Sequence, residues 1–389
     1  MKWVVQPYFA RAARGIMFCP ACRDDGAGRQ GRVLCHEQTS IFFRCRVAAG
    51  CLGLGLTGAP SGDGGLRGPP LNGICLWRKL TCAMDDLTTR GSTMRSPLRR
   101  CIGRLAGALL ICSTLGSSPT RARTILFVGN SFTFGENSPV KRFHPERVVD
   151  LNSEGIGGVP ALFKTFADEA RLNWTVSLET SPGKDLAWHV ANKRAVIDRS
   201  WDVVILQGYS TLDAARPGDP TRHVAAAHTL ASLFHLRNPQ VQVDLLATWS
   251  RADLTYRPAG HWYNKPITQM ADDLLDVSRQ ATANGSDLHV VVPVGTAWNR
   301  AMRDGLADPN PYDGIDFGKV SLWAWDQYHA SAEGYYLEAL VVFGTVTGLD
   351  PRTLGDKEHA AVDLGLDPKV AAQLREIAAA ELSAQRHSH

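Results

Sequence analysis

An α/β fold, with a parallel sheet covered by helices on both faces, is predicted for this chain from Thr124 onward. Short apolar runs of strand length alternate along the sequence with longer segments of helical period. Two of the short runs contain four consecutive apolar residues, Ile125–Val128 and Val203–Leu206, which is typical of strands that are buried on both faces. This alternation predicts a three-layer α/β/α sandwich around a central five-stranded sheet.

The predicted strands are the apolar runs that lead into polar or Gly-containing loops. They are Thr124–Val128, Trp174–Leu178, Trp201–Leu206, Val241–Leu246 and Leu288–Val292. The predicted helices carry apolar residues at spacings of three and four. They are Pro160–Leu172, Leu186–Ile197, His223–Leu236, Ile267–Ala283, Glu333–Leu349 with Ser331 as its N-cap, and the terminal Val370–Leu382. In such a fold a ligand site is expected at the carboxyl ends of the strands.

The composition limits the classes of function. The 389 residues include 42 Lys or Arg and 38 Asp or Glu, for a formal net charge of +4. Nucleic-acid binding normally needs a clustered basic face, which this near balance does not predict. All nine cysteines lie between Cys19 and Cys112. The predicted α/β domain therefore has no cysteine, and its size allows a core that needs no disulfides.

The segment before the α/β domain divides into two parts. Residues 1–93 are rich in Cys, Gly and Arg without a period, and we interpret them as an upstream extension that is disordered or not translated. Residues 94–122 have a basic start, an apolar run too short to span a bilayer and a small-residue cleavage site ending at Ala122. This pattern predicts a signal peptide. We expect a secreted or periplasmic protein without stable membrane insertion, whose working domain is 124–351, followed by a helix and loose tail at 352–389.

Three other interpretations have little support in the sequence. Cys19 and Cys22 form a C-x-x-C pair, but no second pair follows at the spacing of a structural zinc site. Cys112 follows Ile111, whereas a lipoprotein attachment site needs a small residue there. The chain has no H-E-x-x-H, P-loop or dinucleotide-binding pattern, so no metal or other cofactor is expected.

The polar residues at two predicted strand and helix boundaries suggest nucleophilic chemistry. Gly129-Asn130-Ser131 follows the first strand directly, which can place the Ser131 hydroxyl at an exposed helix start. Asp326 and His329 lie just before the helix that starts near Glu333. A serine needs a base to take its proton and an acid that orients the base. An Asp three residues before a His can fill those roles.

These two motifs resemble block I and the D-x-x-H block V of the SGNH/GDSL serine hydrolases, a family with a flavodoxin-like fold. Asn130 stands where the family often has Asp. The resemblance covers Thr124 to about Pro351. It implies Ser131 as nucleophile, His329 as base and Asp326 as its orienting acid, with no cofactor.

The resemblance also implies donors for the oxyanion. Gly183 is similar in position to the block II glycine, whose backbone N–H binds the oxyanion; Gly157–Gly158 is a rival, although it precedes a helix. The third block normally reads G-x-N. Aligned on Gly208, its Asn position holds Ser210, so Ser210 or Gln207 is expected to supply the third donor. His189 is expected either to line the pocket or to lie on a helix surface.

The expected function is a secreted ester hydrolase that removes an acyl group, with acetyl as one candidate, from a small molecule or a carbohydrate. Two alternatives stay open at this point. One is an acyltransferase of the same fold. The other is a non-catalytic carbohydrate-binding relative, which the altered third block allows.

Overall fold

The computed structural model describes residues 121–258 and 260–386. The predicted extension at 1–93, the leader up to residue 120 and the end of the tail, 387–389, lie outside the described residues. So do Cys19, Cys22 and Cys112, on which the zinc and lipoprotein interpretations depend. Within the two described ranges, no helix is both long enough and apolar enough to cross a bilayer.

A parallel sheet of six strands forms the centre of the domain. The strands are β1 Arg123–Gly129, β2 Val149–Asp150, β3 Trp174–Thr180, β4 Val203–Gln207, β5 Gln242–Ala247 and β6 Val291–Pro293. Their order across the sheet is β2-β3-β1-β4-β5-β6, and every neighbouring pair is parallel. The predicted fold class is confirmed, with six strands where the sequence predicted five. The additional strand is β2, an edge strand of 2 residues that is too short to give a periodic signal.

Helices connect the strands and cover the sheet. They are α1 Ser131–Phe134, α2 Gly158–Glu169, α3 Leu186–Asn192, α4 Arg194–Ile197, α5 Thr221–Arg237, α6 Ala252–Tyr256, α7 Gln269–Ala283, α8 Val294–Arg303, α9 Ala332–Thr347, α10 His359–Leu364 and α11 Pro368–Arg386. The single helix predicted over 186–197 is two, because the chain leaves helical geometry at Lys193. Helix α8 was not predicted; it follows β6 without a loop, so its start is masked by the apolar strand before it.

The apolar run of β1 is buried on both faces of the sheet. Ile125 and Phe127 belong to the core shared with α2, α8, α9 and α11, whereas Leu126 and Val128 belong to the core shared with α3 and α5. Successive side chains of a strand point to opposite faces, so an unbroken apolar run is what two covered faces require. The predicted three-layer arrangement is therefore present.

A stack of aromatic rings lies under the carboxyl ends of the strands. The indoles of Trp249 and Trp298 are parallel with centroids 4.7 Å apart, and Phe132 stacks on Trp249 at 4.4 Å. Tyr335 of α9 meets Trp249 edge-on at 5.8 Å. Both tryptophans are fully buried, so they belong to the core and not to the surface. The stack fixes the position of Phe132, which follows Ser131 directly.

Glu338 is an unusual member of the buried face of α9. Its side chain has no exposed surface, and neither carboxyl oxygen has a hydrogen-bond partner within the described ranges. Burial raises the pKa of Glu338 well above its usual value, because the charged form is poorly solvated there. The folded protein therefore keeps this proton to a higher pH than the unfolded chain does. The stability associated with Glu338 is complete below the usual carboxyl pKa and is lost as the pH rises through the folded-state pKa.

Replacing Glu338 with Gln should raise the midpoint of thermal unfolding at pH 8 and change it less at pH 5, because the amide cannot ionise. An effect on the order of 1 kcal/mol would correspond to about 2–4 °C in a domain of this size. Differential scanning calorimetry at both pH values measures the effect, with Glu333→Gln in the first turn of the same helix as control. Equal shifts at the two pH values would contradict the prediction.

Candidate active site

The Ser131 turn is built from a buried strand end and a short helix. Ser131 is the first residue of α1, and the Asn130 side chain caps this helix by accepting a bond from the Phe132 N–H at 3.1 Å. A Cβ atom on Gly129 would lie 2.2 Å from Thr133 Oγ1 and 2.7 Å from Gln207 Oε1. Only glycine therefore allows the strand end to approach these side chains. The turn holds Ser131 at the carboxyl end of β1, where the sequence placed it.

Asn130 joins this turn to two other loops. Its Nδ2 donates to the Lys184 carbonyl oxygen at 2.9 Å and to the Gly208 carbonyl oxygen at 3.1 Å, while Oδ1 accepts from Phe132. A carboxylate can only accept hydrogen bonds, so Asp at this position would face two carbonyl oxygens without a donor. This geometry explains why Asn stands where the resembling family often has Asp.

The Gln207 amide is bonded to the Ser131 turn. Its Oε1 accepts from the Asn130 N–H at 2.8 Å and from the Thr133 hydroxyl at 3.1 Å, and its Nε2 donates to the Gly208 carbonyl oxygen. The side chain is buried at the end of β4. Both ends of the amide are thus used to hold the Ser131 turn. Gln207 holds the Ser131 turn in this structure, and its expected part in oxyanion binding stays a prediction.

Asp326 and His329 lie together on a hairpin before α9. The hairpin is closed by a bridge between Trp323 and Ala330, and His329 Nδ1 lies 2.6 Å from Asp326 Oδ2. Asp326 Oδ1 also accepts from the His329 N–H at 3.0 Å and from the Tyr328 N–H at 3.1 Å. Burial by itself raises the pKa of Asp326, but the bonds from His329 and Tyr328 outweigh it and hold this pKa below its usual value.

The hairpin packs against the Ser131 turn. The His329 ring lies 5.7 Å from the Phe132 ring, and Trp249 Nε1 donates to the Tyr328 carbonyl oxygen at 3.2 Å. The Tyr335 hydroxyl donates to the Ser131 carbonyl oxygen at 3.0 Å. His329 Nε2 is buried and has no hydrogen-bond partner in the part of the chain described, so it does not bond Ser131 in this structure. The structure thus brings the two segments together, and His329 Nε2 has no partner among the described residues.

Asn137 is a site residue that sequence reasoning missed. It adopts a left-handed conformation with φ of 60°, which Asn tolerates better than most residues. Its Nδ2 donates to Asp326 Oδ2 at 2.7 Å and lies 3.5 Å from His329 Nδ1. The segment after α1 therefore binds the same carboxylate oxygen that orients the histidine.

Gly183 lies in an exposed turn after β3, with φ of 65° and no atom within 4 Å of an added Cβ. Its neighbours fix the turn, because the Ser181 N–H donates to the Gly129 carbonyl oxygen at 3.0 Å and Lys184 is bound by Asn130. Gly157 and Gly158, the rival candidates for the oxyanion glycine, are required by close packing. A Cβ on Gly157 would lie 1.7 Å from the Phe143 carbonyl oxygen, and one on Gly158 would lie 2.8 Å from that of Thr133.

Ser210 lies in a polar corner of the site. It is buried, and its hydroxyl accepts from Arg251 Nη1 at 3.4 Å. The Arg251 guanidinium stands 3.7 Å over the Tyr328 ring and pairs with Asp253 at 2.6 Å. Ser210 is thus connected to the residue next to His329. Sequence reasoning missed Arg251, which carries no motif of its own.

His189 does not lie on a helix surface. Its side chain on α3 has no exposed area, and its Nδ1 lies 2.5 Å from Glu179 Oε2. The surface alternative is therefore wrong, and the buried ring does not line an open pocket. Across 121–258 and 260–386, no group of three or more His, Cys, Asp or Glu residues could hold a metal ion.

Comparison with known proteins gives structural likeness only. No family model and no curated protein matches the chain. A DUF4886 family protein from Bacteroides uniformis is 16% identical over 67% of this chain and 95% of its own, with a TM-score of 0.43. A putative GDSL-like lipase from Parabacteroides merdae is 18% identical over 58% of this chain and 95% of its own, with a TM-score of 0.40.

A carbohydrate esterase family 2 enzyme with a carbohydrate-binding domain, from Corynascus thermopiles, is 13% identical over 60% of this chain and 69% of its own, with a TM-score of 0.36. GDSL-like proteins thus occur among the structures similar to this chain. At these identities no activity is carried over from them.

Changing Asn130 to Asp should lower the kcat/KM of the ester hydrolysis proposed below by about 100-fold, because displacing a reacting group by about 1 Å can cost that much. The carboxylate would lose both bonds to the carbonyl oxygens of Lys184 and Gly208. The same change at Asn192, whose amide donates to the Trp188 carbonyl oxygen on a helix surface, is the matched control. Full activity of the Asn130 variant would show that the three-loop junction does not position the site.

Proposed function

We propose that the domain is a serine ester hydrolase in which Ser131 is the nucleophile, His329 the base and Asp326 the acid that orients it. The supporting observation is the state of His329. Its Nδ1 is bound to Asp326, and its Nε2 is buried without a partner on the hairpin that packs against the Ser131 turn. A proton acceptor held in one tautomer beside a serine is what nucleophilic catalysis requires.

The reaction follows from these positions. As the Ser131 Oγ forms a bond to the acyl carbon, its proton moves to His329 Nε2, and the carbonyl oxygen becomes an oxyanion. The tetrahedral intermediate then expels the alcohol, which takes the proton from His329. Water next attacks the acyl-Ser131 ester and gives a proton to His329; this proton returns to Ser131 when the carboxylic acid leaves. Asp326 stabilises the imidazolium in both halves.

Backbone N–H groups are the proposed oxyanion donors. The Ser131 N–H is at the start of α1, where no intrahelical acceptor exists for it. The Gly183 N–H lies in the turn that Asn130 ties to Ser131 through Lys184. We propose Ser210 for the third donor, since the Gln207 amide is engaged in holding the Ser131 turn. A donor of this kind typically contributes on the order of 3 kcal/mol to transition-state stabilisation.

The proposed substrate is a short acyl ester, with acetyl as the acyl group, on a carbohydrate. Ser131 is only 6% exposed, and its neighbour Phe132 stacks on the buried Trp249, which favours a small acyl group. Trp325, directly before Asp326, is 77% exposed at the hairpin turn. An exposed indole at this position offers a flat apolar surface on which a sugar ring can stack.

Export is proposed from the sequence pattern at 94–122, most of which lies outside the described residues. Cleavage after Ala122 would leave β1 intact, since this strand begins at Arg123. Expression of the chain in a bacterial host, followed by N-terminal sequencing of secreted protein, tests this proposal.

Changing Ser131 to Ala should abolish hydrolysis of p-nitrophenyl acetate, while the midpoint of thermal unfolding stays close to that of the wild type. Wild-type turnover should fall as the acyl chain lengthens from acetate to octanoate. Ser278→Ala, which removes a buried hydroxyl from α7, is the control and should keep full activity. Undiminished turnover by the Ser131 variant would refute the assignment.

Two further measurements separate the alternatives. A fluorophosphonate probe that labels Ser131 would exclude a non-catalytic binding protein. Product analysis with and without added sugar would distinguish hydrolysis from acyl transfer, because only a transferase forms acylated acceptor.

A further inference from the structure

A pair of ionisable side chains, Glu179 and His189, is buried in the interior beside the loop that carries Gly183. Neither side chain has exposed surface, and His189 Nδ1 lies 2.5 Å from Glu179 Oε2. The other carboxyl oxygen lies 3.4 Å from Asn152 Nδ2 and 3.6 Å from Lys193 Nζ. The pair thus belongs to a small polar network within an otherwise apolar layer.

The position of the pair along the chain connects it to the site. Glu179 is the next-to-last residue of β3, and His189 is in the first turns of α3. Residues 181–185 link these two elements and contain Gly183. The Glu179–His189 bond therefore closes the base of this loop, while Asn130 holds its far side through Lys184. A second bond of the network, from Asn152 Nδ2 to the Thr180 carbonyl oxygen at 2.7 Å, fixes the last residue of β3.

Simple stabilisation of the fold does not account for the pair. Burying two ionisable groups is costly, and replacing such a pair with apolar residues of similar size is often neutral or stabilising. Two buried polar atoms of this region, His189 Nε2 and Thr180 Oγ1, also have no hydrogen-bond partner among the described residues. The bond between His189 Nδ1 and Glu179 Oε2 ties α3 to the end of β3 in one defined geometry. A pair of apolar side chains could not fix this geometry.

We propose that Glu179 and His189 are positioning residues that set the geometry of residues 181–185, and with it the Gly183 N–H, for the reaction at Ser131. The inference rests on the proposed hydrolase function. Neither side chain touches the reacting atoms; they act through the loop. Because the oxyanion forms only during the reaction, their loss affects the chemical step more than substrate binding.

Two variants at His189 provide the kinetic test with p-nitrophenyl acetate. His189→Leu should lower kcat by about 10- to 100-fold with little change in KM, since a misplaced donor acts on the transition state. His189→Asn retains an N–H near the position of Nδ1 and should recover part of this loss. The control is His228→Leu on α5, which removes a histidine paired with Asp287 and should keep the wild-type kcat. A wild-type kcat in His189→Leu would overturn the proposal.

Hydrogen exchange provides a second test that does not need activity. The hydrogen-bonded amides of Ser181 and Lys184 should exchange about 10-fold faster in His189→Leu than in the wild type, because a local opening requires less free energy. Unchanged exchange in this loop would also overturn the proposal. If His189→Leu does not fold, Glu179→Gln, which keeps the shape of the side chain, is measured in the same two ways with the same expected directions.

The two tests also separate this inference from the proposed function. The wild type could hydrolyse no ester while His189→Leu still shows faster exchange in the loop. This result would refute the hydrolase function and would support the role of the pair in holding the loop. Activity that depends on Ser131 but is insensitive to both His189 variants would refute the positioning role alone.

Discussion

Three loops of the site meet at the side chain of Asn130, and their arrangement depends on its being a neutral amide. It donates to carbonyl oxygens in the Gly183 loop and at the end of β4, and it accepts from the first turn of α1. No other side chain of this size except an amide both donates twice and accepts. Gln207 adds a second connection by accepting from the Asn130 backbone. The Ser131 hydroxyl is thus located by bonds that converge from three strand ends.

Most of the fold could be predicted because a buried parallel sheet leaves strong traces in sequence. The runs at 125–128 and 203–206 are apolar on both faces, which is typical of buried parallel strands of that length. β2 left no trace, since two partly exposed residues carry no period. α8 was missed because it follows β6 without polar residues to mark the boundary. The formation of β2 and the start of α8 depend on contacts with neighbouring elements, and sequence periodicity does not record such contacts.

The site was partly predictable for a related reason. Residues at the carboxyl ends of parallel strands meet at one edge, so Ser131 could be placed near the hairpin of His329 from chain order alone. Asn137 could not be found this way, because its partner Asp326 is 189 positions away and its left-handed conformation follows from a turn. The sequence placed Gln207 at the end of a strand near Ser131, but which atoms its amide faces could not be read from the sequence. His189 was ambiguous because helical period does not say which face of a short helix is covered.

The aromatic stack gives the proposed nucleophile and the proposed base a common packing partner. Phe132, next to Ser131, lies on Trp249, and the same indole donates its N–H to the carbonyl oxygen of Tyr328, next to His329. A displacement of that indole would therefore act on both segments at once. We expect a core substitution at Trp249 to disturb the Ser131 turn and the His329 hairpin together, although both segments are distant from Trp249 in the sequence.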